Sequence, residues 1–211
     1  CTNLNKLSFD GKLFPSQLET IEANAFSNCK AIEWGDIVFP KTLSFIGETA
    51  FAYCDGIDSV MIPSNVKTLD ERIFESCANL TAATVADGVE EIGAFIFRNC
   101  ESIESLTIPF DVVPSYSKED QNPDAVRTHA IIAAYVQSPD IEKHKAVSTS
   151  GWLGRFAASG GNNASTACYP TSLTKITVTS GTEILPETFR GMDFLEDLNG
   201  IFAFCLYDKK L

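Results

Sequence analysis

Apolar positions along this chain recur in a fixed order. A stretch alternating apolar with small or polar residues ends in Ile-Pro. Two apolar residues three apart follow, and then Phe-x-x-Cys-x-x-Leu/Ile. The unit is clearest from Ile62-Pro63 through Val66 and Leu69 to Phe74, Cys77 and Leu80. Its last part returns at Phe26/Cys29/Ile32, Phe51/Cys54/Ile57 and Phe97/Cys100/Ile103, and again at Phe189/Met192/Leu195 with methionine in place of cysteine. The chain opens on a partial copy, Cys1-Thr2-Asn3-Leu4. Self-similarity at such a period dictates a repeat architecture. Successive repeat cysteines are 28, 25, 23 and 23 residues apart, so the basic period is 23. The extra residues of the first copy fall around Asp10-Gly11-Lys12-Leu13 and those of the second near Gly35-Asp36.

Each copy predicts three elements. Ile57 to Ile62, Leu80 to Val85, Ile103 to Ile108 and, at the start, Leu4 to Phe9 read as strands, with a period of two over their last four residues. Pro40, Pro63 and Pro109 end strands because proline has no N–H for a ladder. The pairs Leu18/Ile21, Leu43/Ile46, Val66/Leu69 and Val89/Ile92 predict a second, shorter extended segment across the coil. Ala25-Phe26, Ala50-Phe51, Ile73-Phe74 and Ile96-Phe97 predict short helical turns. One coil cannot bury its own apolar side, so neighbours must stack. The expected fold is an α/β repeat solenoid with one parallel sheet. Phe26, Phe51, Phe74, Phe97 and Phe189 should form a column, with Cys29, Cys54, Cys77 and Cys100 as small apolar residues in the core.

The register fails after Pro109 and resumes at Leu173-Thr174-Lys175-Ile176-Thr177-Val178. Residues 1–113 are therefore the N-terminal part of the array, 114–172 an insertion, and 173–211 a resumed repeat with a C-terminal cap or truncation. Within the insertion, Asn122-Pro123-Asp124 is a helix start for Ala125 to Gln137, and Ser138-Pro139-Asp140 starts a shorter helix through His144. Ser148 to Ala167, rich in Gly, Ser, Ala and Asn, predicts a mobile loop.

Composition narrows the partners. A hydrophobic share of 45% with 21% charged residues suits a globular chain with a sizeable core. The net charge of -12 argues against nucleic acid, whose binding rests on Lys and Arg neutralising phosphates. It equally disfavours anionic membrane surfaces, and no apolar run is long enough to insert into a bilayer. Cys1 could be a lipid-bearing first residue; the repeat instead places it level with Cys77, in a chain cut from a longer array. Cys168 and Cys205 alone fall outside the register and are candidates for a disulfide.

Leu106-Thr107-Ile108-Pro109, Ile46-Gly47, Ile92-Gly93 and Ala50-Phe51-Ala52-Tyr53-Cys54 together resemble the BspA-like leucine-rich repeat family, over about residues 1–113 and 173–198. The resemblance implies a leucine-rich-repeat superhelix. It also implies an exported protein, extracellular or at the cell surface, that attaches to host proteins or other cells and carries no catalytic motif.

Candidate sites follow from both lines. The outward strand positions Lys6, Ser8, Ser59, Met61, Ala82, Thr84, Ser105, Thr107, Lys175 and Thr177 form one exposed face. It is a binding surface or a solvated face of small residues, and Trp34 is its single aromatic candidate. Tyr135, Trp152, Arg155, Phe156 and Tyr169 give the insertion the residue types of a binding hot spot, or pin it to the coils. For catalysis there are only His129 and His144, with Cys168 or a serine as nucleophile, and neither Gly-x-Ser-x-Gly nor His-Glu-x-x-His occurs. No metal site and no cofactor are expected. The expected function is a non-catalytic module binding a protein or glycan on a host or neighbouring cell. The alternatives are a structural spacer without a ligand and, more distantly, a hydrolase seated in the insertion.

Overall fold

The computed structural model describes residues 6–8, 11–93, 95–109, 113–114, 144–148, 166–170 and 172–180. Each coil contributes one longer and one two-residue strand. The longer strands are β2 (Gly35–Val38), β4 (Ile57–Ile62), β6 (Ala82–Val85), β8 (Ser105–Ile108) and β12 (Lys175–Val178). They pair in parallel in the order β12-β8-β6-β4-β2. The short strands are β1 (Thr20–Ile21), β3 (Phe45–Ile46), β5 (Thr68–Leu69), β7 (Glu91–Ile92) and β9 (Val113–Pro114). They do not remain isolated segments opposite one sheet, as the sequence suggested. They pair into a second five-stranded parallel sheet, β1-β3-β5-β7-β9. The cause is the constant period: Ile21, Ile46, Leu69 and Ile92 fall level, so each two-residue segment finds its equivalent one coil on.

The third side of each coil is a run of turns, and the helical turns expected there are absent among the described residues. In each coil two residues four apart adopt left-handed backbone: Asn24 and Asn28, Thr49 and Tyr53, Arg72 and Ser76, Phe95 and Asn99, all with φ between 53° and 64°. A right-handed helix cannot pass through such residues. Alternate N–H groups go instead to different partners. Ala25 and Ser27 donate within the coil to Glu22 O and Asn24 O, while Asn24, Phe26 and Asn28 donate to Glu48 O, Ala50 O and Ala52 O of the next. The turns thus form a ladder of their own between coils, and their backbone groups are satisfied without helix or strand.

The core is the stack of apolar residues these three sides enclose. The phenylalanine rings line up: Phe26–Phe51, Phe51–Phe74 and Phe74–Phe97 have centroids 5.2, 5.3 and 5.6 Å apart and planes within 22° of parallel. Phe51, Phe74 and Phe97 are fully buried, while Phe26, at the near end, is half-buried. Phe189 lies outside the described residues. Phe14, Trp34 and Phe39 close the column at that end, with Phe14 and Trp34 both against Phe26 and Phe51. The cysteines stack beside the rings. Cys54, Cys77 and Cys100 each direct the thiol to the carbonyl of Phe26, Phe51 and Phe74 respectively, at 3.1, 3.2 and 3.1 Å.

Beyond β8 the next rung of the long-stranded sheet is β12, paired residue for residue from Lys175↔Ser105 to Val178↔Ile108. Ser172 fastens this rung: its hydroxyl meets Glu101 O and Ile103 O, each at 2.8 Å, across 71 and 69 residues of chain. Immediately before it, β10 (His144–Ser148) and β11 (Thr166–Pro170) form an antiparallel pair. His144 therefore begins a strand and does not end a helix. Of the loop expected over Ser148 to Ala167 the ends are strand, Ser148 in β10 and Thr166-Ala167 in β11; its remainder and the helix expected over Ala125 to Gln137 lie outside the described residues.

Candidate functional site

Alternation along the longer strands fixes the exposed face of their sheet. In β6 and β8 the pattern is strict: Ala83, Val85, Leu106 and Ile108 are buried, and Ala82, Thr84, Ser105 and Thr107 point outward. Strand register then arranges the outward residues in two rows. One runs Asp36, Ser59, Ala82, Ser105, Lys175 and the other Val38, Met61, Thr84, Thr107, Thr177. The middle of the face is small and uncharged. Its chemistry sits at the ends, with Asp36 accepting the Ser59 hydroxyl at 2.5 Å and Lys175 exposed at the far rung.

Val38 and Met61, 65% and 51% exposed, are paired neighbours on this face. Beside Val38 lies a groove of about 510 Å³, walled by residues from 12–16 and 36–41. Val38 and the groove were missed by sequence reasoning. The signal existed: aligning Phe39-Pro40 with Ile62-Pro63 puts Val38 level with Met61. The two extra residues of the second copy obscured it, and the pairing with β4 is irregular where they fall, between Gly35 and Asp36.

Trp34, expected on the exposed face, is 4% exposed and belongs to the core. The extra residues let the chain turn at Ile32–Trp34 and carry the indole inward. There its edge meets Phe26 and Phe51, and its Nε1–H donates to Cys29 O at 3.4 Å. Of the insertion candidates, Tyr135, Trp152, Arg155 and Phe156 lie outside the described residues, as do His129 and Cys205. Tyr169 and Cys168 are in β11, their backbones opposite Lys145 and Ala146.

Two of the stacked cysteines, Cys54 and Cys77, are poor nucleophiles. Burial pushes the Cys54 thiol from 9.0 up to about 12. The neighbouring Cys100 thiol, and then burial, hold Cys77 well above its ordinary value. A thiol kept protonated is unreactive. Cys29, Cys54, Cys77 and Cys100 are all buried and unbridged. Among the described residues no group of three His, Cys, Asp or Glu side chains is placed to hold a metal ion. Burial also raises Asp70, at the corner after β5, above the usual carboxylate range. Four ion pairs join adjacent coils among the described residues: Lys30–Asp55 at 3.4 Å, Lys67–Glu90 at 3.2 Å, Arg72–Glu48 at 3.9 Å and Arg98–Glu75 at 3.6 Å. Partly exposed pairs of this kind contribute at most about 1 kcal/mol each.

No curated protein matches the chain significantly. Among solved structures it is similar to a leucine-rich repeat protein of T. pallidum, at 23% identity, TM-score 0.43, 64% of this chain and 68% of that one. It is also similar to a leucine-rich repeat protein of Bacteroides ovatus, at 16% identity and TM-score 0.45, covering 89% of this chain and 42% of that one. The model of the BspA type leucine rich repeat region matches residues 1–118 in six copies. With the match spanning more than half its length, the chain belongs to the BspA-type leucine-rich repeat family.

Proposed function

We propose that this chain is the non-catalytic binding part of an exported, surface-located protein, and that it attaches to a protein or glycan on a host or neighbouring cell. Leucine-rich repeat modules generally bind proteins, and members of this family are typically secreted or surface-exposed. The observation that carries the reading is the exposed face of the long-stranded sheet. Its two outward rows run the length of the array without a covering element among the described residues, and the face has an exposed apolar pair at one end. At the opposite end, β11 runs through Pro170 into Leu173 and the β12 rung. The inserted segment leaves the array after β9, in the short-stranded sheet, and rejoins it at β12, the rung next to β8 on the exposed face. Tyr135, Trp152, Arg155, Phe156 and Tyr169 would add aromatic and guanidinium anchors there, the types that dominate hot spots.

A spacer without a ligand is favoured by one observation, the small uncharged middle of the face at Ala82, Thr84, Ser105 and Thr107. Binding to immobilised extracellular-matrix proteins, envelope proteins and a glycan array separates the two. The experiment compares the intact chain, a form lacking residues 115–170 and the double variant Met61→Arg/Thr84→Arg. Saturable binding weakened by either change supports a binding module. Intact and altered forms that alike bind nothing identify a spacer.

A further inference from the structure

The described part of the molecule has three exposed large hydrophobic side chains: Val38, Tyr53 and Met61. Two of them, Val38 and Met61, are register partners at the β2 end of the face, and β2 is the terminal strand of its sheet among the described residues. Val38 is also a wall of the groove of about 510 Å³, within the size range of sites that hold a side chain or small ligand. Phe14 and Phe39, both nearly buried and stacked at 5.2 Å, line the same groove.

The electrostatics of this corner differ from the rest. Lys30, Lys67, Arg72 and Arg98 each meet a carboxylate on an adjacent coil. Lys12 and Lys41, exposed and lining the groove, have no acidic partner among the described residues. The Lys41 backbone is held in place, because its carbonyl accepts a hydrogen bond from the Asn65 amide of the next coil. Among the described residues Asp36 is the one acidic side chain of the lining, and its carboxylate is engaged by Ser59. The described lining thus carries two lysines against one aspartate, a positive balance in a chain whose net charge is -12.

We propose that this groove and the adjoining Val38–Met61 pair are a docking site for an extended acidic segment of a partner protein. An apolar side chain of that segment covers Val38 and Met61, and a neighbouring carboxylate lies between Lys12 and Lys41. The inference rests on the binding-module reading and narrows it to one corner and one chemistry.

The test is selection of a random 12-residue peptide library, displayed on phage, against the intact 211-residue chain. Enriched peptides are then titrated as fluorescent conjugates. Three variants are compared: Lys12→Glu/Lys41→Glu, Val38→Thr/Met61→Thr, and Thr107→Arg two rungs from Met61 on the same row. The expected peptides place an aliphatic or aromatic residue beside Asp or Glu. Reversing the two lysines weakens them about tenfold or more. The Val38/Met61 pair weakens them comparably, and Thr107→Arg leaves them unchanged. Peptides without carboxylates, insensitivity to the lysine reversal, or no enrichment at all would overturn the docking site. Peptides lost only on Thr107→Arg would move the site to the middle of the face, which overturns this inference and keeps the binding-module reading.

Discussion

Cys54 shows what a small core residue does in a stacked coil. Its side chain is fully buried in the core, and its thiol points at the Phe26 carbonyl of the coil before. Cys77 and Cys100 repeat the contact one and two coils on. A single S–H···O contact is weak, but its recurrence gives a reason for cysteine over alanine or valine at this position. The same burial makes stability depend on pH. The Cys54 thiol ionises near 9.0 when unfolded and only near about 12 when buried. Below 9 both states hold the proton, and the thiol's contribution is full. Between 9 and 12 the unfolded state has lost it and the folded state has not, so stability falls as pH rises through that window. Urea midpoints measured from pH 8 to 11 should decline less steeply in Cys54→Ser than in the parent, and identical slopes would refute the assignment. The rings of the column carry more. Phe74 is fully buried between Phe51 and Phe97, and Phe74→Ala should cost about 3–5 kcal/mol. Phe26→Ala, at the half-buried end, should cost distinctly less in the same urea titration.

The turn ridge is where local preference and the fold disagree. Tyr53 and Asn28 occupy equivalent left-handed positions, as do Ser76 and Asn99. Asparagine tolerates that conformation, whereas a bulky side chain there costs roughly 1–2 kcal/mol. Tyr53 is 40% exposed, and its ring lies 5.9 Å from Lys30 Nζ, a minor contact. Tyr53→Asn should therefore raise stability by up to about 1 kcal/mol, visible as a higher melting temperature, and an equal fall would show that the ring contributes more than its backbone costs. Gly93 tests the packing of the ridge on its neighbour. A Cβ there would stand 2.7 Å from backbone atoms of Asp70 and Glu71, so Gly93→Ala should destabilise by about 1–3 kcal/mol in chemical denaturation. These positions also mark how far the sequence could be read. Strands and column were legible because a period of two and a fixed spacing of Phe and Cys report burial directly: the last four residues of Ala82–Val85 and Ser105–Ile108 alternate as expected. The ridge was not, because an apolar pair such as Ala50-Phe51 suits a helical turn equally well. What forbids the helix is φ at Thr49 and Tyr53, and neither residue type announces it. Trp34 was misplaced for a related reason. Two added residues cancel the alternation locally, and only packing against Phe14, Phe26 and Phe51 shows which way the indole turns.

Every strand pair of the two long sheets joins adjacent coils, and so do the cysteine contacts, the four ion pairs and the ring stacking. Stability in such an array is a sum over coils and nearest-neighbour interfaces, so a defect should be felt first beside itself and attenuate with distance. Leu69 offers a clean perturbation. It is fully buried, sits in the middle short strand, and faces Ile46 on one side and Ile92 on the other. Leu69→Ala removes the same volume from both interfaces and should cost about 2–5 kcal/mol. Hydrogen exchange on the intact chain resolves where that loss appears. Protection should fall most at residues 45–46, 68–69 and 91–92, and less at β2 and at the β12 rung fastened by Ser172. Uniform loss from β2 to β12 would mean that the described coils open as one unit, more cooperatively than a sum over neighbouring coils predicts. Local loosening would bear on function, because a face that loosens at its β2 end can adapt to a partner there while the rungs from Ser105 to Lys175 hold register.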